Sequence, residues 1–349
     1  MPATFDPPAR PAPAIDRIED LTRREFLSSA LAAALLIACG DDEDDGDPTS
    51  TSVPLVRIEH RYGITEAPSS PQRVVTLGYV DHDAVLALGV VPVALATDAY
   101  SDGQRFGVWP WAQDELGTGE PELLSATEFD FERIAALEPD LILAVYAGLT
   151  QDDYNTLSAI APTVAQSGEH EDYLTPWDEM TRTIGRALGK EQQAEELIAG
   201  IAEKFAEARS LHPEFEGKTA VYAGLLGSGQ YYAEGGSSTR VGILTSLGFV
   251  VPEQFTGFFT EVSLEQVRSF DNDLLLWELG DEESRDIIES HPLYQQLDVH
   301  LEGRDVFVVD PTLAGGLALI SVLSLPYVID QLVPRLAAAV DGDPATSAN

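Results

Sequence analysis

The chain has 349 residues, more than one ordinary hydrophobic core holds and enough for two lobes. Its 59 acidic residues outnumber its 20 basic ones, so the formal net charge is −39, and nucleic acid is disfavoured as a partner because its phosphates would be repelled. With a single cysteine, Cys39, the chain can form neither an internal disulfide nor a cysteine-rich metal site.

Residues 1–38 are predicted to be an export signal. Two consecutive arginines, Arg23 and Arg24, precede a short apolar run that ends in the sequence LIACG at residues 36–40. A twin-arginine pair before an apolar segment too short to span a membrane is typical of a signal peptide, and small residues before a cysteine are typical of a lipoprotein cleavage site. We therefore expect Cys39 to carry lipid. The alternative is a short anchor helix with an incidental cysteine.

Residues 39–54 are expected to form a disordered tether between that lipid and the folded part. The segment is rich in aspartate and has no apolar periodicity, so it has no hydrophobic face to bury. The whole chain is acidic and contains only three lysines, a composition that suggests a surface adapted to high salt. A second disordered segment is expected at residues 341–349.

The N-terminal lobe, residues 55–189, is predicted to contain a mainly parallel sheet covered by helices on both sides. Short apolar runs alternate with segments of helical periodicity, and this alternation is typical of α/β folds. The predicted strands are residues 73–77, 91–96, 140–146 and 163–166, and the predicted helices are residues 81–89, 131–138 and 154–161.

A long amphipathic helix is predicted at residues 190–211. Apolar residues recur there at spacings of three and four, which places them on one face of a helix about 30 Å long. Gly189 precedes the helix and Pro213 follows it, as expected at helix boundaries. We expect this helix to connect the N-terminal lobe to a C-terminal lobe at residues 212–340.

The C-terminal lobe is predicted to repeat the N-terminal one. Its predicted strands are residues 219–226, 274–279 and 306–309, and its predicted helices are residues 239–247, 264–270 and 325–340. The segment FERIAALEPDLIL at residues 131–143 matches SLEQVRSFDNDLLL at residues 263–276, and ALGVVP at residues 87–92 matches SLGFVVP at residues 246–252. Two matches in the same order favour an α/β fold of two similar lobes, joined by one long helix with a ligand cleft between them.

The residues that follow the predicted strands converge on that cleft, because open α/β sheets bind ligands beyond the carboxyl ends of their strands. The insert GVWPW at residues 107–111, a loop with Phe258 and Phe259, and a cation at the start of a predicted helix, Arg240, add to them, so that most of the set is aromatic. An aromatic residue at a strand end is as typical of core packing as of ligand contact, and the cation also fits a solvated position. The predicted ligand-binding residues are Tyr79, Tyr100, Trp109, Trp111, Tyr146, Gln230, Tyr231, Tyr232, Arg240, Phe258, Phe259 and Trp277.

The sequence contains no pattern typical of a catalytic site. It lacks a P-loop, a dinucleotide-binding glycine motif and a nucleophile elbow. Its six histidines are scattered and form no metal-binding motif, so a metal site made by the protein is weakly supported. We therefore expect a binding protein without a cofactor, and not an enzyme.

The chain resembles a known family in several of these segments. The lipobox, RVVTLGYVDHDAVLALGVVPV, FDFERIAALEPDLILAVYAGLTQDDYNTLSAIAPTVA, the connecting helix, TRVGILTSLGF and SVLSLPYVIDQLVPRL are similar to the substrate-binding lipoproteins of ABC importers for ferric siderophores. These are class III periplasmic binding proteins, related to the ferrichrome- and vitamin B12-binding proteins. The resemblance implies a monomer on the outer face of the cytoplasmic membrane, with iron carried inside the siderophore and not bound directly by the protein.

The resemblance also implies that one glutamate on each lobe docks onto arginines of the importer's permease. The matching positions are Glu132 and Glu265, whose alternative role is to favour the dipole at a helix N-terminus. Because the predicted cleft offers Arg240, Arg105 as a second candidate cation, and many aromatic rings, we expect a neutral or mixed-type siderophore, with Arg240 bonded to iron-ligating oxygens. The open alternatives are a haem or cobalamin receptor of the same fold, a free metal-ion carrier and a cell-surface enzyme.

Overall fold

A computed structural model describes residues 54–97, 104–226, 230–343 and 345–346. The predicted export signal, Cys39 and nearly all of the predicted tether lie outside these residues. Within the described ranges, no helix is both long enough and apolar enough to cross a membrane.

The N-terminal lobe is built on a five-stranded sheet in which all neighbouring strands are parallel. A β-hairpin of β1 (Leu55–His60) and β2 (Gly63–Pro68) precedes it and was not predicted. The strand order in the sheet is β5-β4-β3-β6-β7. The strands are β3 (Val74–Thr76), β4 (Ala94–Thr97), β5 (Glu122–Ser125), β6 (Leu141–Ala144) and β7 (Thr163–Ala165).

The C-terminal lobe is built on a second five-stranded sheet, which is mixed. Three of its strands are parallel, and the other two run antiparallel to their neighbours at one edge. The order is β10-β9-β8-β11-β12. The strands are β8 (Ala220–Leu225), β9 (Tyr231–Glu234), β10 (Phe259–Val262), β11 (Leu274–Glu278) and β12 (Asp305–Val308).

Helices flank both sheets, as predicted for this α/β fold. In the N-terminal lobe they are α1 (Asp81–Ala87), α2 (Gln113–Leu116), α3 (Phe131–Ala136), α4 (Gln151–Ile160) and α5 (Trp177–Ala187). From the connection onward they are α6 (Glu191–Leu211), α7 (Gly242–Ser246), α8 (Glu282–Glu289), α9 (Asp298–Leu301), α10 (Pro311–Ala318) and α11 (Ser324–Val340). Shorter 3₁₀ helices occupy Arg105–Gly107, Pro110–Ala112, Pro213–Phe215, Leu264–Phe270 and Tyr294–Gln296.

The long helix α6 has the position that the sequence predicts. Its buried residues Ala194, Ile201, Phe205 and Ala208 share one face, and it contacts both α5 of the N-terminal lobe and α11 of the C-terminal lobe. The cores of the two sheets are continuous beside it, since one buried cluster contains strand residues of both lobes. A cleft between the lobes is therefore closed on the side of α6.

The internal similarity in the sequence corresponds to a repeated structural device. The side chain of Asp140 accepts hydrogen bonds from the backbone N–H groups of Gln72 and Arg73, each at 2.8 Å, just before β3. Asp273 accepts one from the backbone N–H of Thr219 at 2.8 Å, just before β8. In each lobe the aspartate thus ties the start of one central strand to the start of its neighbour.

The second pair of similar segments, residues 87–92 and 246–252, also has a matching structure. Gly89 and Gly248 each follow a helix with positive φ, +73° and +104°, and each turns the chain back toward the sheet. After Gly89 the chain forms β4, whereas after Gly248 it forms only a parallel bridge between Val250 and Thr219. The C-terminal lobe retains a remnant of that strand, and the antiparallel strands β9 and β10 complete its sheet edge.

Candidate functional site

Three tyrosines form the N-terminal side of the candidate site, and we call them the tyrosine wall. Tyr79 lies shortly after β3, Tyr146 shortly after β6, and Tyr173 in the loop before α5. The ring of Tyr173 lies 5.7 Å from that of Tyr79 and 5.6 Å from that of Tyr146, and the Tyr146 hydroxyl donates to the Tyr173 carbonyl at 2.6 Å. Tyr79 and Tyr146 were predicted at the site; Tyr173 was not, because it lies far along the loop that follows the predicted strand at residues 163–166.

Two backbone features place the ring of Tyr173 against the other two tyrosines of the wall. Its own φ is +64°, an uncommon value for a residue with a side chain. Gly148 has φ +57°, and a Cβ there would lie 2.6 Å from the Tyr173 hydroxyl oxygen. Only glycine at residue 148 therefore accommodates both the backbone conformation and the tyrosine above it.

Asp81 anchors the wall from beneath. Its fully buried carboxylate accepts hydrogen bonds from the backbone N–H groups of Gly78 at 3.1 Å, Val145 at 2.9 Å and Tyr146 at 3.1 Å. Burial raises the pKa of Asp81 to about 7, and the three hydrogen bonds oppose that shift because they favour the carboxylate. The ends of β3 and β6 are thereby tied together, which fixes the backbone beside Tyr79 and Tyr146.

The C-terminal side is a charged cluster, which we call the arginine cluster: Arg240, Glu234, Glu278, Tyr222 and Tyr232. Arg240 Nη1 lies 3.0 Å from Glu234 Oε1 and 3.5 Å from Glu278 Oε2, and the Tyr222 hydroxyl donates to Glu278 Oε2 at 2.7 Å. Burial raises the pKa of Tyr232, as does the negative charge of Glu278, while Arg240 opposes them. The predicted cation Arg240 is therefore already paired within its own lobe.

The two sides meet across the seam between the lobes. Burial raises the pKa of Tyr146, while the charge of Arg240 and a hydrogen bond with the Thr239 side chain lower it, so Tyr146 of the N-terminal lobe contacts Thr239 of the C-terminal lobe. A cavity of about 340 Å³ lies next to this contact and shares Thr239 with it. Its other lining residues come from both lobes and from α6, and include His170, Trp177, Phe205, Ser237 and Leu325.

Two predicted ligand contacts, Tyr231 and Trp277, are corrected by the structure. Tyr231 is 1% exposed and Trp277 is 0% exposed, in one core cluster, and Trp277 Nε1 donates to the Tyr294 hydroxyl at 3.0 Å. Successive residues of a strand point to opposite faces of its sheet. Tyr232 and Glu278 therefore reach the arginine cluster, while the residues before them are buried behind the sheet.

The tryptophan pair Trp109 and Trp111 lies in the seam and not on an open cleft wall. Their rings are stacked, with centroids 4.9 Å apart and planes 4° apart, and the ring of Trp111 is 6.0 Å from that of Tyr327 in α11. Trp111 Nε1 donates to Asp83 Oδ2 at 2.9 Å, and the hydroxyl of Ser321 in the C-terminal lobe donates to the same oxygen. Trp109 is buried, so its prediction as a ligand contact is wrong for this conformation, and the pair instead joins the lobes.

The remaining predicted residues lie at the margin of the site or outside the described ranges. Phe259 is 6.1 Å from the ring of Tyr232 and 5.8 Å from that of Phe258, so the two phenylalanines extend the C-terminal side. Gln230 is exposed at the start of β9. Tyr100 lies outside the described residues.

Glu132 and Glu265 occupy matching places in the two lobes. Both are exposed, Glu132 in the first turn of α3 and Glu265 in the first turn of the 3₁₀ helix before β11. The segment Leu264–Phe270 was predicted as an α-helix, but its seven residues form a 3₁₀ helix. Among the described residues, no group of three or more His, Cys, Asp or Glu side chains is arranged to hold a metal ion.

Comparison with known proteins identifies the family to which this architecture corresponds. A family model described as periplasmic binding protein matches residues 74–311. The Fe(3+)-citrate-binding protein YfmC of Bacillus subtilis is 29% identical over 278 residues, which cover 77% of this chain and 85% of that protein.

Solved structures agree with the fold. A periplasmic solute binding protein from Mycobacterium smegmatis superposes with a TM-score of 0.76 at 37% identity, covering 82% of this chain and 99% of the other. PiaA from Streptococcus pneumoniae, in complex with ferrichrome, superposes with a TM-score of 0.71 at 28% identity, covering 82% of this chain and 99% of the other.

Proposed function

Because the protein belongs to the periplasmic binding protein family, we propose that it binds a ferric siderophore between its lobes. It delivers that complex unchanged to the permease of an ABC importer. The observation that carries the proposal is the cavity lined by residues of both lobes, beside the hydrogen bond of Tyr146 with Thr239, since it gives one site an aromatic side and a polar side from different lobes. Relatives named for ferric citrate and for ferrichrome support the ligand class.

The chemistry of the two sides fits a ferric chelate. Tyrosine rings provide flat surfaces for the apolar outside of such a complex, and a guanidinium donates charge-assisted hydrogen bonds to oxygens that also ligate iron. The helix α6 spans both lobes and resists bending, so we expect the lobes to close only slightly on the ligand.

Tryptophan fluorescence tests the proposal directly. Trp111 lies in the seam and Trp177 lines the adjacent cavity, so occupation of the site is expected to change the emission. We expect saturable binding of a ferric trihydroxamate, tighter than that of a ferric catecholate, and mass spectrometry of the bound material should recover the complex intact. Failure of every ferric complex to bind would refute the receptor role. Chemical conversion of the ligand would show that the protein is an enzyme.

Delivery is assigned to Glu132 and Glu265. Their exposure at matching positions of both lobes supports a role in docking onto the permease. The double variant Glu132→Arg, Glu265→Arg should abolish uptake by cells without changing ligand affinity, because neither side chain contacts the described site. The matched control is Glu115→Arg with Glu283→Arg, two exposed glutamates with the same change in charge, and it should transport normally. Normal uptake by the first double variant would exclude the docking role.

Membrane attachment is assigned to lipid on Cys39, outside the cytoplasmic membrane. The basis is the twin-arginine pair, the short apolar run and the small residues before the cysteine. Cys39→Ala should move the protein from the membrane fraction to the soluble fraction, and a variant that stays on the membrane would contradict lipid anchoring.

A further inference from the structure

The arginine cluster has an unusual charge balance for a site assigned to iron chelates. The segments after residue 53 that the structure does not describe contain no lysine or arginine in their sequence, so every cation of the folded part is described. Of these, Arg240 lies in the arginine cluster itself, whereas Arg105 is exposed and donates to Gln113 and to the Gly117 carbonyl. Arg61, whose partner Asp172 precedes Tyr173, is occupied by that ion pair.

The charge of Arg240 is opposed by two carboxylates within its own cluster. Glu234 Oε1 lies 3.0 Å from Arg240 Nη1 and Glu278 Oε2 lies 3.5 Å from it. With both glutamates ionised the cluster carries one net negative charge. Burial raises the pKa of Glu234, although Arg240 opposes the shift, and protonation of Glu234 would leave the cluster neutral. In neither state does the cluster present net positive charge to a ligand.

The two carboxylates differ in what they can offer. Glu234 is only 2% exposed, and its Oε2 is buried without a hydrogen-bond partner among the described residues. Such a buried acceptor favours an additional donor or cation nearby. The side chain of Glu278 is 14% exposed, so it is the more accessible of the two carboxylates.

From this arrangement, and resting on the proposed function, we infer that the site selects ferric complexes by charge. It admits complexes without net negative charge and prefers those that carry a protonated amine, with Glu278 as the acceptor of that ammonium group. Multiply anionic complexes are disfavoured, since their charge would lie next to carboxylates and the single guanidinium is already compensated. This separates the chain from its relative named for ferric citrate, whose ligand contains carboxylates.

The test compares matched ligands that differ in one charge. The probes are a linear ferric trihydroxamate with a free terminal amine, the same complex with that amine acetylated, and a ferric tris-catecholate. We expect the amine form to bind roughly tenfold more tightly than the acetylated form, which is about 1.4 kcal/mol, and the catecholate to bind most weakly. The measurement on the unmodified protein needs no variant, so it decides even if a variant fails to fold.

Two variants then test whether Glu278 causes the preference for the amine form. In Glu278→Gln the ratio of the two hydroxamate affinities should fall to near unity. In the matched control Glu283→Gln, an exposed glutamate of α8, the ratio should stay as in the unmodified protein. High salt screens the attraction of the acidic surface as a whole but weakens a close, partly buried contact much less, so the preference should persist there.

The possible results separate the two proposals. Binding of the hydroxamates without preference for the amine, tightest binding of the catecholate, or an unchanged ratio in Glu278→Gln would overturn selection by charge and leave the receptor proposal standing. Binding of no ferric complex at all would overturn the receptor proposal, and selection by charge with it.

Discussion

The two sides of the candidate site hold their polar groups in opposite ways. In the N-terminal lobe the carboxylate of Asp81 accepts hydrogen bonds from three uncharged backbone N–H groups, and the side chains at the site are tyrosines. In the C-terminal lobe the carboxylates of Glu234 and Glu278 bond to the guanidinium of Arg240. The first side is held by dipoles and the second by opposite charges.

The same contrast appears in a histidine of each lobe. His60 in β1 lies 2.9 Å from the Thr65 hydroxyl, an uncharged partner, and burial lowers its pKa. His300 in α9 lies 2.7 Å from Asp305 Oδ2, and the hydrogen bond to that side chain raises its pKa. The lobes thus share a skeleton, with equivalent aspartates at their strand starts, but differ at the site and at these two histidines in how they stabilise polar groups. We infer that the N-terminal side recognises ligand shape and the C-terminal side ligand charge.

Removal of Arg240 should produce the largest effect, because it would leave Glu234 buried without its counter-charge. We expect Arg240→Met to lower the free energy of unfolding by about 3–5 kcal/mol, measured by urea denaturation near neutral pH. The additional substitution Glu234→Gln should recover part of this loss, since it removes the stranded charge.

The control for that experiment is Arg285→Met. Arg285 pairs with Glu289 on α8 at the helical spacing i, i+4, which contributes about 0.3–0.5 kcal/mol, and its guanidinium lies 4.9 Å from the centre of the Phe307 ring, a cation–π contact of about 0.5–1 kcal/mol. If Arg240→Met cost no more than Arg285→Met, opposite charges would not be what stabilises the C-terminal side, and the contrast between the two sides would be lost.

The next largest effect is expected from Trp277, and it tests whether that residue lies on the face of the C-terminal sheet opposite the arginine cluster. Trp277→Phe removes the hydrogen bond from Nε1 to the Tyr294 hydroxyl in a fully buried site, and should destabilise the protein by about 1–2 kcal/mol. Ligand affinity should stay the same, because Trp277 faces away from the arginine cluster. Thermal unfolding measures the stability and fluorescence titration measures the ligand affinity. A large loss of affinity with unchanged stability would show that Trp277 contacts the ligand.

Much of this fold could be predicted because its signals are local. The helix α6 follows from the spacing of its apolar residues, and the repeated lobes follow from aligned segments in which Asp140 and Asp273 have the same structural role. Tyr79 and Tyr146 were placed at the site by the rule that ligands bind beyond the carboxyl ends of strands, and Arg240 by its position at the start of a predicted helix.

The rest of the site depends on information that is not local. Whether Tyr231 or Tyr232 faces the site is decided by the pairing of β9 with β8, and β9 was not predicted. Tyr173 lies in a loop whose path depends on contacts distant in sequence. Asp81 has the sequence pattern of an ordinary first-turn acid, and only the fold shows that it accepts hydrogen bonds from two strand ends.

The tyrosine wall is tested by its effect on affinity. Tyr146→Ala should weaken ligand binding roughly tenfold, or about 1.4 kcal/mol, because it removes a ring and the hydroxyl that fixes Tyr173. Tyr146→Phe keeps the ring and should lose less. Tyr154→Ala removes a tyrosine of the same lobe that stacks on Tyr62, and it should leave affinity unchanged. Equal losses in Tyr146→Ala and Tyr154→Ala would show that the wall has no specific role.

The smallest effect, and the most direct comparison of the lobes, is in the pH dependence of stability. The pKa of His60 lies below its ordinary value of 6.5, so its contribution is present above pH 6.5 and is lost as the pH falls through the pKa of the folded state. The pKa of His300 is raised from 6.5, so its contribution is present below pH 6.5 and is lost as the pH rises through the pKa of the folded state.

The variants His60→Gln and His300→Gln isolate these contributions from those of the many acidic groups. The difference in unfolding free energy between unmodified protein and variant, measured between about pH 5 and pH 8, should decrease with acidification for His60 and increase for His300. Differences of the same sign would mean that the two histidines do not sense uncharged and charged partners, and that the contrast between the lobes is confined to the site itself.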